Sequence, residues 1–268
     1  MLVLGYVFAL FIGLTLGMLG AGGSILTVPV FVYVLRFDPK LAVTMSLPVV
    51  GLTSLVGAIS HWRAGNVNVR SVLSFGVVAM AAAFAGARAS VFLAASTQLF
   101  LLGVAMLTAA VLMLRDSFRT PRPMPATPGA GPDAGRASAA GERPRSGSPL
   151  ALPLAGLFVG ALTGIVGIGG GFIIVPALVL LAQLPMREAV GTSLTVITMN
   201  AAAGFAGQHR LRELPLDFLL VFGGVAMAGI IAGTWLARFL HQRTLKRAFA
   251  ALLLVLAVLV LWQNRALP

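Results

Sequence analysis

Two clusters of glycine, 147 residues apart, are the positions in this chain best suited to bind a ligand. The first lies at residues 17–24 and the second at residues 164–171. Each glycine destabilises a helix by about 1 kcal/mol relative to alanine, so we expect the helix to break at both clusters. In a membrane, a broken backbone is tolerated only where it lines a cavity or is buried in protein.

A helix that begins after such a break has N–H groups without intrahelical partners and carries the positive end of the helix dipole. Together these features predict an anion site that needs no basic side chain. The residues expected to line this site are Gly20, Gly22, Gly23 and Ser24 in the first cluster, and Gly167, Gly169, Gly170 and Gly171 in the second. The spacing is not that of a dinucleotide fingerprint, and no βαβ pattern surrounds it.

Glycines can also allow two helices to pack closely when they are spaced four residues apart. Three pairs have this spacing: Gly13 with Gly17, Gly160 with Gly164, and Gly229 with Gly233. We assign these outer pairs to helix packing and the inner glycines to the breaks.

Polar side chains inside the apolar segments are few. Ser46 and Ser193 occupy matching positions near the start of the third segment of each half, and both are candidates for the anion site. A serine there can complete the site, or it can donate to a carbonyl of its own helix, and both uses remain open. Asn200 is a buried amide that needs a partner, either another helix or the ligand.

A second group of residues are candidates for a gate or for coupling: Thr44, His61, Arg63, Arg88, Thr192 and His209. Histidine titrates near neutral pH, which suits proton coupling. Arg88 is the basic residue furthest inside an apolar run, and intramembrane charges are functional candidates. The alternative for the histidines and arginines is a place at the interface, where long side chains reach water.

The acidic residues exclude several classes of function. All seven lie in loops or at the ends of segments: Asp38, Asp116, Asp133, Glu142, Glu188, Glu213 and Asp217. A cation pump or cation channel normally keeps a carboxylate within the membrane, so anionic cargo fits better. The pattern contains no nucleophile with a base, no acid–base pair and no metal-ligand cluster. We therefore expect neither an enzyme nor a cofactor.

The composition indicates a membrane protein. The chain is 59% hydrophobic and 10% charged, with a mean hydropathy of +0.99, so lipid must solvate most of its surface. The net charge of +12 comes largely from basic residues crowded between apolar segments. Such residues are typical of cytoplasmic loops, so we do not expect a nucleic-acid partner. The chain has no cysteine and therefore no disulfide.

The two halves repeat without a gap from residue 9 to residue 89 and from residue 156 to residue 236. Each half has five apolar segments, at about 2–20, 24–35, 41–60, 71–92 and 97–114, and at about 150–168, 172–183, 189–207, 216–237 and 246–262. The second segment of each half covers only about 18 Å as a helix and is too short to cross a bilayer. We expect it to be re-entrant or to continue a broken first helix.

These observations predict an all-α polytopic bundle of two repeats, residues 1–114 and 150–268. The Pro- and Arg-rich stretch 115–149 is expected to be a disordered cytoplasmic linker. With the linker inside, loops 61–70 and 238–247, which carry basic residues, are also inside, and loop 93–96, which has none, is outside. This arrangement favours inverted repeats; parallel repeats would force loop 238–247 or the linker outside.

The repeated motifs resemble those of the TauE/SafE family of sulfite exporter-like permeases. The motifs are the glycine turn with a later proline (Gly17 to Pro29, Gly164 to Pro176), the Ala-Val-x-x-Ser-Leu starts (Ala42 to Leu47, Ala189 to Leu194) and the loop from Arg63 to Val67. The second copy departs at residues 208–213, so we do not expect the two gates to be fully symmetric. The resemblance implies a bacterial inner-membrane permease for sulfite, sulfonates or related anions.

We therefore expect a secondary transporter in which a small anion binds between the repeats and one repeat rocks against the other. An anion channel or a non-transporting membrane scaffold are the alternatives. The sequence leaves the oligomeric state open.

Overall fold

The computed structural model describes residues 2–20, 22–118, 151–166, 171–208, 214–237, 239 and 242–264. Within these ranges the chain is helical and has no β-strand, which confirms the all-α class. The first half contains α1 (Leu2–Leu19), α2 (Gly22–Pro29), α3 (Pro39–Arg63), α4 (Val69–Phe92) and α5 (Ala95–Phe118). The second contains α6 (Ala151–Val166), α7 (Gly171–Leu180), α8 (Met186–Gly207), α9 (Leu216–Ala237) and α10 (Gln242–Asn264).

All ten expected segments occur, with ends that differ by a few residues. Two helices contain local irregularities: α2 continues as a π-helical turn over Val30–Val34, and α4 contains a π-helical turn over Val72–Gly76. Pro29 explains the first of these, because proline has no N–H to donate within a helix. Apart from the end of α5, the expected linker 115–149 lies outside the described residues.

The first helix breaks where the glycine cluster predicts. α1 ends at Leu19, Gly20 has a φ of +73°, and α2 begins at Gly22. α2 then folds back along α1. A Cβ on Gly23 would contact the Ile12 backbone, and further along the Leu35 side chain packs on Gly5. The pair is therefore an antiparallel hairpin that returns to its own side.

The second half has the same interruption between α6, which ends at Val166, and α7, which begins at Gly171. Residues 167–170 lie outside the described residues, so the form of this second turn is a prediction.

The third helices of the two halves cross at the centre of the molecule. Position by position, Gly204 faces Leu47, Ala201 faces Gly51, and Leu194 faces Gly57. The numbering rises along α3 as it falls along α8, so the two helices are antiparallel. Asn200, beside the Ala201–Gly51 contact, lies near the middle of this crossing.

The first helix of each half packs on the opposite half through glycines. α1 packs on α9 and α6 packs on α4, and in both pairs a glycine faces the backbone of the partner helix. The positions concerned are Gly13, Gly17, Gly229 and Gly233 in the first pair, and Gly86, Gly156, Gly160 and Gly164 in the second. The packing role that the sequence predicts for the outer glycines is confirmed. α5 packs on α10, where Gly103 faces the Leu261 side chain and not the partner backbone.

In the described part of the chain, four helices are long and apolar enough to cross a membrane: α3, α4, α8 and α9. α1, α5, α6 and α10 contain shorter apolar stretches of 10–17 residues, so length and composition support four of the eight expected spans. Large apolar side chains such as Phe92, Leu220 and Trp262 are exposed on the outer surface, where lipid would solvate them. Buried hydroxyl and amide groups lie inside the bundle.

Candidate functional site

The break after α1 is buried against α8 of the other half. The Gly20 N–H still donates to the Leu16 carbonyl at 2.8 Å, as in a helix, and its positive φ then turns the chain away. A Cβ on Gly20 would lie 2.8 Å from Val190 Cγ1 and 2.9 Å from Val190 Cα. Only glycine fits this position, both for its backbone conformation and for the space available.

The Ser193 hydroxyl joins this break to α8. It lies 3.1 Å from the Gly20 carbonyl oxygen and 2.8 Å from that of Val190, and it can donate to either. Ser46, at the matching position in the first half, donates to the Val43 carbonyl at 2.7 Å. Both serines therefore bond a carbonyl three residues earlier in their own helix. Ser193 additionally holds the break in place, a role that the sequence does not predict.

Asn200 is fully buried, and neither Nδ2 nor Oδ1 has a hydrogen-bond partner among the described residues. Its counterpart in the first half is Thr53, whose hydroxyl donates to the Val49 and Val50 carbonyls of its own helix. Ser54, one residue further along α3, is also fully buried with an unpartnered hydroxyl. The middle of the crossing thus contains polar atoms that no described protein group satisfies.

A cavity of about 340 Å³ lies at the end of the crossing where α3 begins and α8 ends. Its lining residues are Lys40, Val43, Thr44, Ser90, Val91, Gln98 and Gln208. Thr44 Oγ1 lies 3.3 Å from Gln208 Oε1, and Gln208 Nε2 has no partner among the described residues. We call this the larger cavity. Lys40 and Gln208 are among the described residues that line it, and none of those described residues is acidic.

A cavity of about 60 Å³ lies at the opposite end, where α3 ends and α8 begins, and we call it the smaller cavity. Its lining residues are Ser60, His61, Ala64, Asn66, Arg187, Thr234 and Ala237. His61 is buried there, and its Cβ packs on Gly191.

The loop between α3 and α4 is tied to the first turns of α8 beside the smaller cavity. The Asn68 backbone N–H donates to Thr192 Oγ1 at 2.9 Å, and Asn68 Nδ2 donates to Glu188 Oε1 at 3.0 Å. Asn68 Oδ1 accepts from the Ser71 N–H and caps α4. We call these two bonds to α8 the latch. Thr192, expected at a gate, is thus part of a contact between the halves.

The remaining predicted residues are dispersed. Arg63 is exposed at the end of α3. Arg88 is exposed near the end of α4, with its guanidinium 5.3 Å from the centre of the Phe84 ring, so it lies on the surface and not within the bundle. Ser24 is fully buried in α2, and Gly171 is buried at the start of α7. Gly167, Gly169, Gly170 and His209 lie outside the described residues.

Five residues lie at the two ends of the crossing although the sequence pattern does not predict a role for them there: Lys40, Asn68, Arg187, Glu188 and Gln208. A signal for two of them was present, because Lys40 and Arg187 are 147 residues apart and are therefore repeat counterparts. No group of three or more potential metal ligands occurs in the part of the chain that the structure describes.

Comparison with known proteins supports the resemblance found in the sequence. The family model described as "Sulfite exporter TauE/SafE" matches residues 6–260 of the chain. A probable membrane transporter protein of Xylella fastidiosa strain 9a5c is 30% identical over 267 residues, which cover 95% of this chain and 93% of the relative. The corresponding protein of strain Temecula1 is 29% identical with the same coverage.

A third relative, probable membrane transporter protein YdhB of Bacillus subtilis strain 168, is 26% identical over 239 residues, or 88% of this chain and 91% of the relative. No solved structure matches the chain. The relatives are named as transporters and not as enzymes.

Proposed function

Because the chain belongs to the TauE/SafE family and is a multi-pass membrane transporter, we propose that it is a secondary transporter of small anions, with sulfite, sulfonates or related sulfur-containing anions as its substrates. We propose further that it resides in a bacterial inner membrane with residues 115–149 in the cytoplasm. Residues 1–114 and 150–268 would form two repeats of opposite orientation.

The antiparallel crossing of α3 and α8 supports the inverted arrangement, because these helices are counterparts under the 147-residue shift. The packing of α1 on α9 and of α6 on α4 supports a two-fold relation between the repeats, since exchanging the halves converts one pair into the other. In a transporter built this way, cargo binds between the repeats and access alternates as one repeat moves against the other.

The observation that supports an anionic substrate is that Asn200 is fully buried and its amide has no hydrogen-bond partner among the described residues. A buried amide without hydrogen bonds destabilises a protein by roughly 1–3 kcal/mol, so a group left in this condition needs an explanation. A bound oxyanion would accept from Nδ2, and a protonated sulfite could in addition donate its proton to Oδ1. Ser193, about two helical turns before Asn200 on α8, bonds the Gly20 carbonyl at the break after α1.

The spans also disfavour a cationic cargo. All the described acidic residues lie at helix ends: Asp38 just before α3, Glu188 and Asp217 in the first turns of α8 and α9, and Asp116 in the last turn of α5. A channel is the weaker alternative, because the larger and smaller cavities lie at opposite ends of the crossing and share none of their described lining residues.

The test uses purified protein in proteoliposomes. We expect saturable uptake of labelled sulfite or a small sulfonate, accelerated when unlabelled anion is present on the opposite side. The same anion is expected to raise the Tm of the detergent-solubilised protein, because a ligand that binds the folded state stabilises it. Flux without counterflow would indicate a channel. The absence of both flux and a Tm shift for sulfite, sulfate, thiosulfate and small sulfonates would refute anion transport.

A further inference from the structure

The two cavities are counterparts of one another. Under the 147-residue shift Lys40 corresponds to Arg187, Ser90 to Ala237, and His61 to Gln208, and each pair has one member in each cavity. Each cavity therefore contains a basic residue at the same place, the second position of the third helix of its half. Because counterpart residues line both cavities, the two cavities occupy equivalent places in the two repeats.

Helix stability does not account for these basic residues. A positive charge in the first turn of a helix is unfavourable, because that end of the helix dipole is itself positive. α3 offsets the charge with its cap, in which Asp38 accepts from the Lys40 and Leu41 N–H groups. Membrane topology does not account for Lys40 either, since the proposed orientation puts the start of α3 on the outer face, where basic residues are disfavoured.

The chemistry of the larger cavity points to an anion. Two hydrogen-bond contacts join residues that line it. Thr44 Oγ1 lies beside Gln208 Oε1, and Gln98 Nε2 donates to the Ser90 carbonyl at 2.9 Å. The contact with Thr44 leaves Gln208 Nε2 as a donor without a partner among the described residues. Lys40 lines the same cavity, and none of the described lining residues carries a negative charge.

We propose that the larger cavity is a vestibule in which Lys40 and the Gln208 amide bind the anion before it reaches the centre of the molecule. The ligand class is a small oxyanion, which accepts hydrogen bonds from both groups. The smaller cavity with Arg187 is the corresponding vestibule on the opposite face. This inference rests on the proposed transport of anions, and it adds a site that precedes the central one.

The absence of cysteine from the chain permits a test that needs no knowledge of the substrate. Val91, an exposed residue that lines the larger cavity, is replaced in Val91→Cys. The purified protein then reacts with two thiosulfonate reagents of similar size, one bearing a sulfonate and one a quaternary ammonium. We expect the anionic reagent to react faster relative to its rate with a free thiol, and the cationic reagent to react more slowly.

The variant Lys40→Gln in the Val91→Cys background is expected to reduce the ratio of the two rates by at least about fivefold, because a unit charge in the same cavity attracts one reagent and repels the other. Lys40→Arg keeps the charge and is expected to keep the ratio. In the matched control, Ala64→Cys in the smaller cavity, Lys40→Gln is expected to leave the ratio unchanged. High salt is expected to weaken the preference.

The outcome separates the vestibule from the transport function. If Lys40→Gln leaves the ratio of the two rates unchanged in a protein that transports anions, the vestibule proposal is wrong and the proposed transport function stands. A charge-dependent ratio in a protein without anion flux supports the vestibule and overturns the transport function. If Lys40→Gln changes the ratio of the two rates at Ala64→Cys by the same factor as at Val91→Cys, the proposal is wrong, because the effect of Lys40 would then not be local.

Discussion

Gly20 combines two constraints that can be separated by experiment. Its positive φ disfavours any residue with a Cβ, and Val190 occupies the space that a Cβ would need. Gly20→Ala is therefore expected to lower the free energy of unfolding by about 1–2 kcal/mol for the backbone conformation and about 1–3 kcal/mol for overpacking. The measurement is the Tm of the purified protein, together with anion flux, which we expect to be lost.

Gly65 is the matched control, because it has a φ of +72° and a Cβ added to it would meet no described atom within 4 Å. Gly65→Ala is expected to show the backbone penalty alone and to retain flux. Equal Tm losses in the two variants would mean that the contact between Gly20 and α8 contributes nothing.

Asn200 yields a prediction in which stability and activity change in opposite directions. Asn200→Leu removes a buried polar group that has no partner among the described residues, so the Tm is expected to stay the same or to rise. Anion flux and the anion-induced Tm shift are expected to disappear if the amide binds the cargo. Differential scanning fluorimetry with and without sulfite measures both effects on stability.

Thr53→Val serves as the control for Asn200, since Thr53 is the repeat counterpart and its hydroxyl is satisfied within α3. Flux is expected to persist in this variant. A Tm that falls by many degrees in Asn200→Leu would instead assign Asn200 a structural role.

Among the elements, the loop between α3 and α4 is the part best placed to act as a gate, because the latch joins it to α8 across the two halves. The latch has no equivalent on the other face: the counterparts of Asn68 and Glu188 are Pro215 and Leu41, neither of which has a polar side chain. The larger cavity lies on the face without the latch and the smaller one on the face that the latch ties.

Asn68→Asp is expected to open the smaller cavity. The aspartate still accepts from the Ser71 N–H, so the cap of α4 remains, but it replaces a donor to Glu188 with a like charge. Modification of Ser60→Cys, which reports on this cavity, is expected to become at least severalfold faster.

Adding Glu188→Gln is expected to restore the slow rate, because the glutamine amide can donate to the aspartate. If Asn68→Asp leaves the modification rate of Ser60→Cys unchanged, the latch does not control access to this end.

The elements themselves could largely be predicted, because hydropathy and glycine clusters are local properties of the chain. α3 and α9 follow from their apolar runs, and the turn at Gly20 follows from the weakness of glycine as a helix former. The hydrogen-bond partners of the residues around the break after α1 could not be predicted from local sequence properties. Ser193 bonds Gly20 from 173 positions away, and no local pattern encodes that pairing.

Lys40 and Arg187 were predictable in principle, but their local sequence does not mark them as functional. A polar group stands out in the interior of a span, where a charge is costly and needs a reason. These two residues lie at helix starts, where charges are common, and only their matched positions in the repeat distinguish them.

For the whole molecule, the inverted arrangement predicts which loops face which side of the membrane. Ala64 and Ala94 are both exposed, and they lie at opposite ends of α4. In intact cells, Ala94→Cys is expected to react with a membrane-impermeant maleimide, whereas Ala64→Cys is expected to react only after permeabilisation. Reaction of both residues from the outside would contradict the proposed topology. The reversed pattern would place the linker on the outer face.

The packing of α1 on α9 also constrains how the protein is made. When α1 leaves the ribosome, the helix that its glycine face requires lies some 200 residues away and has yet to be synthesised. The same is true of α4, whose glycine-lined neighbour α6 follows only after the long central stretch. The glycine faces of α1 and α4 are therefore uncovered until the second half of the chain has been synthesised. A chain truncated before residue 216 would lack α9, the helix on which α1 packs.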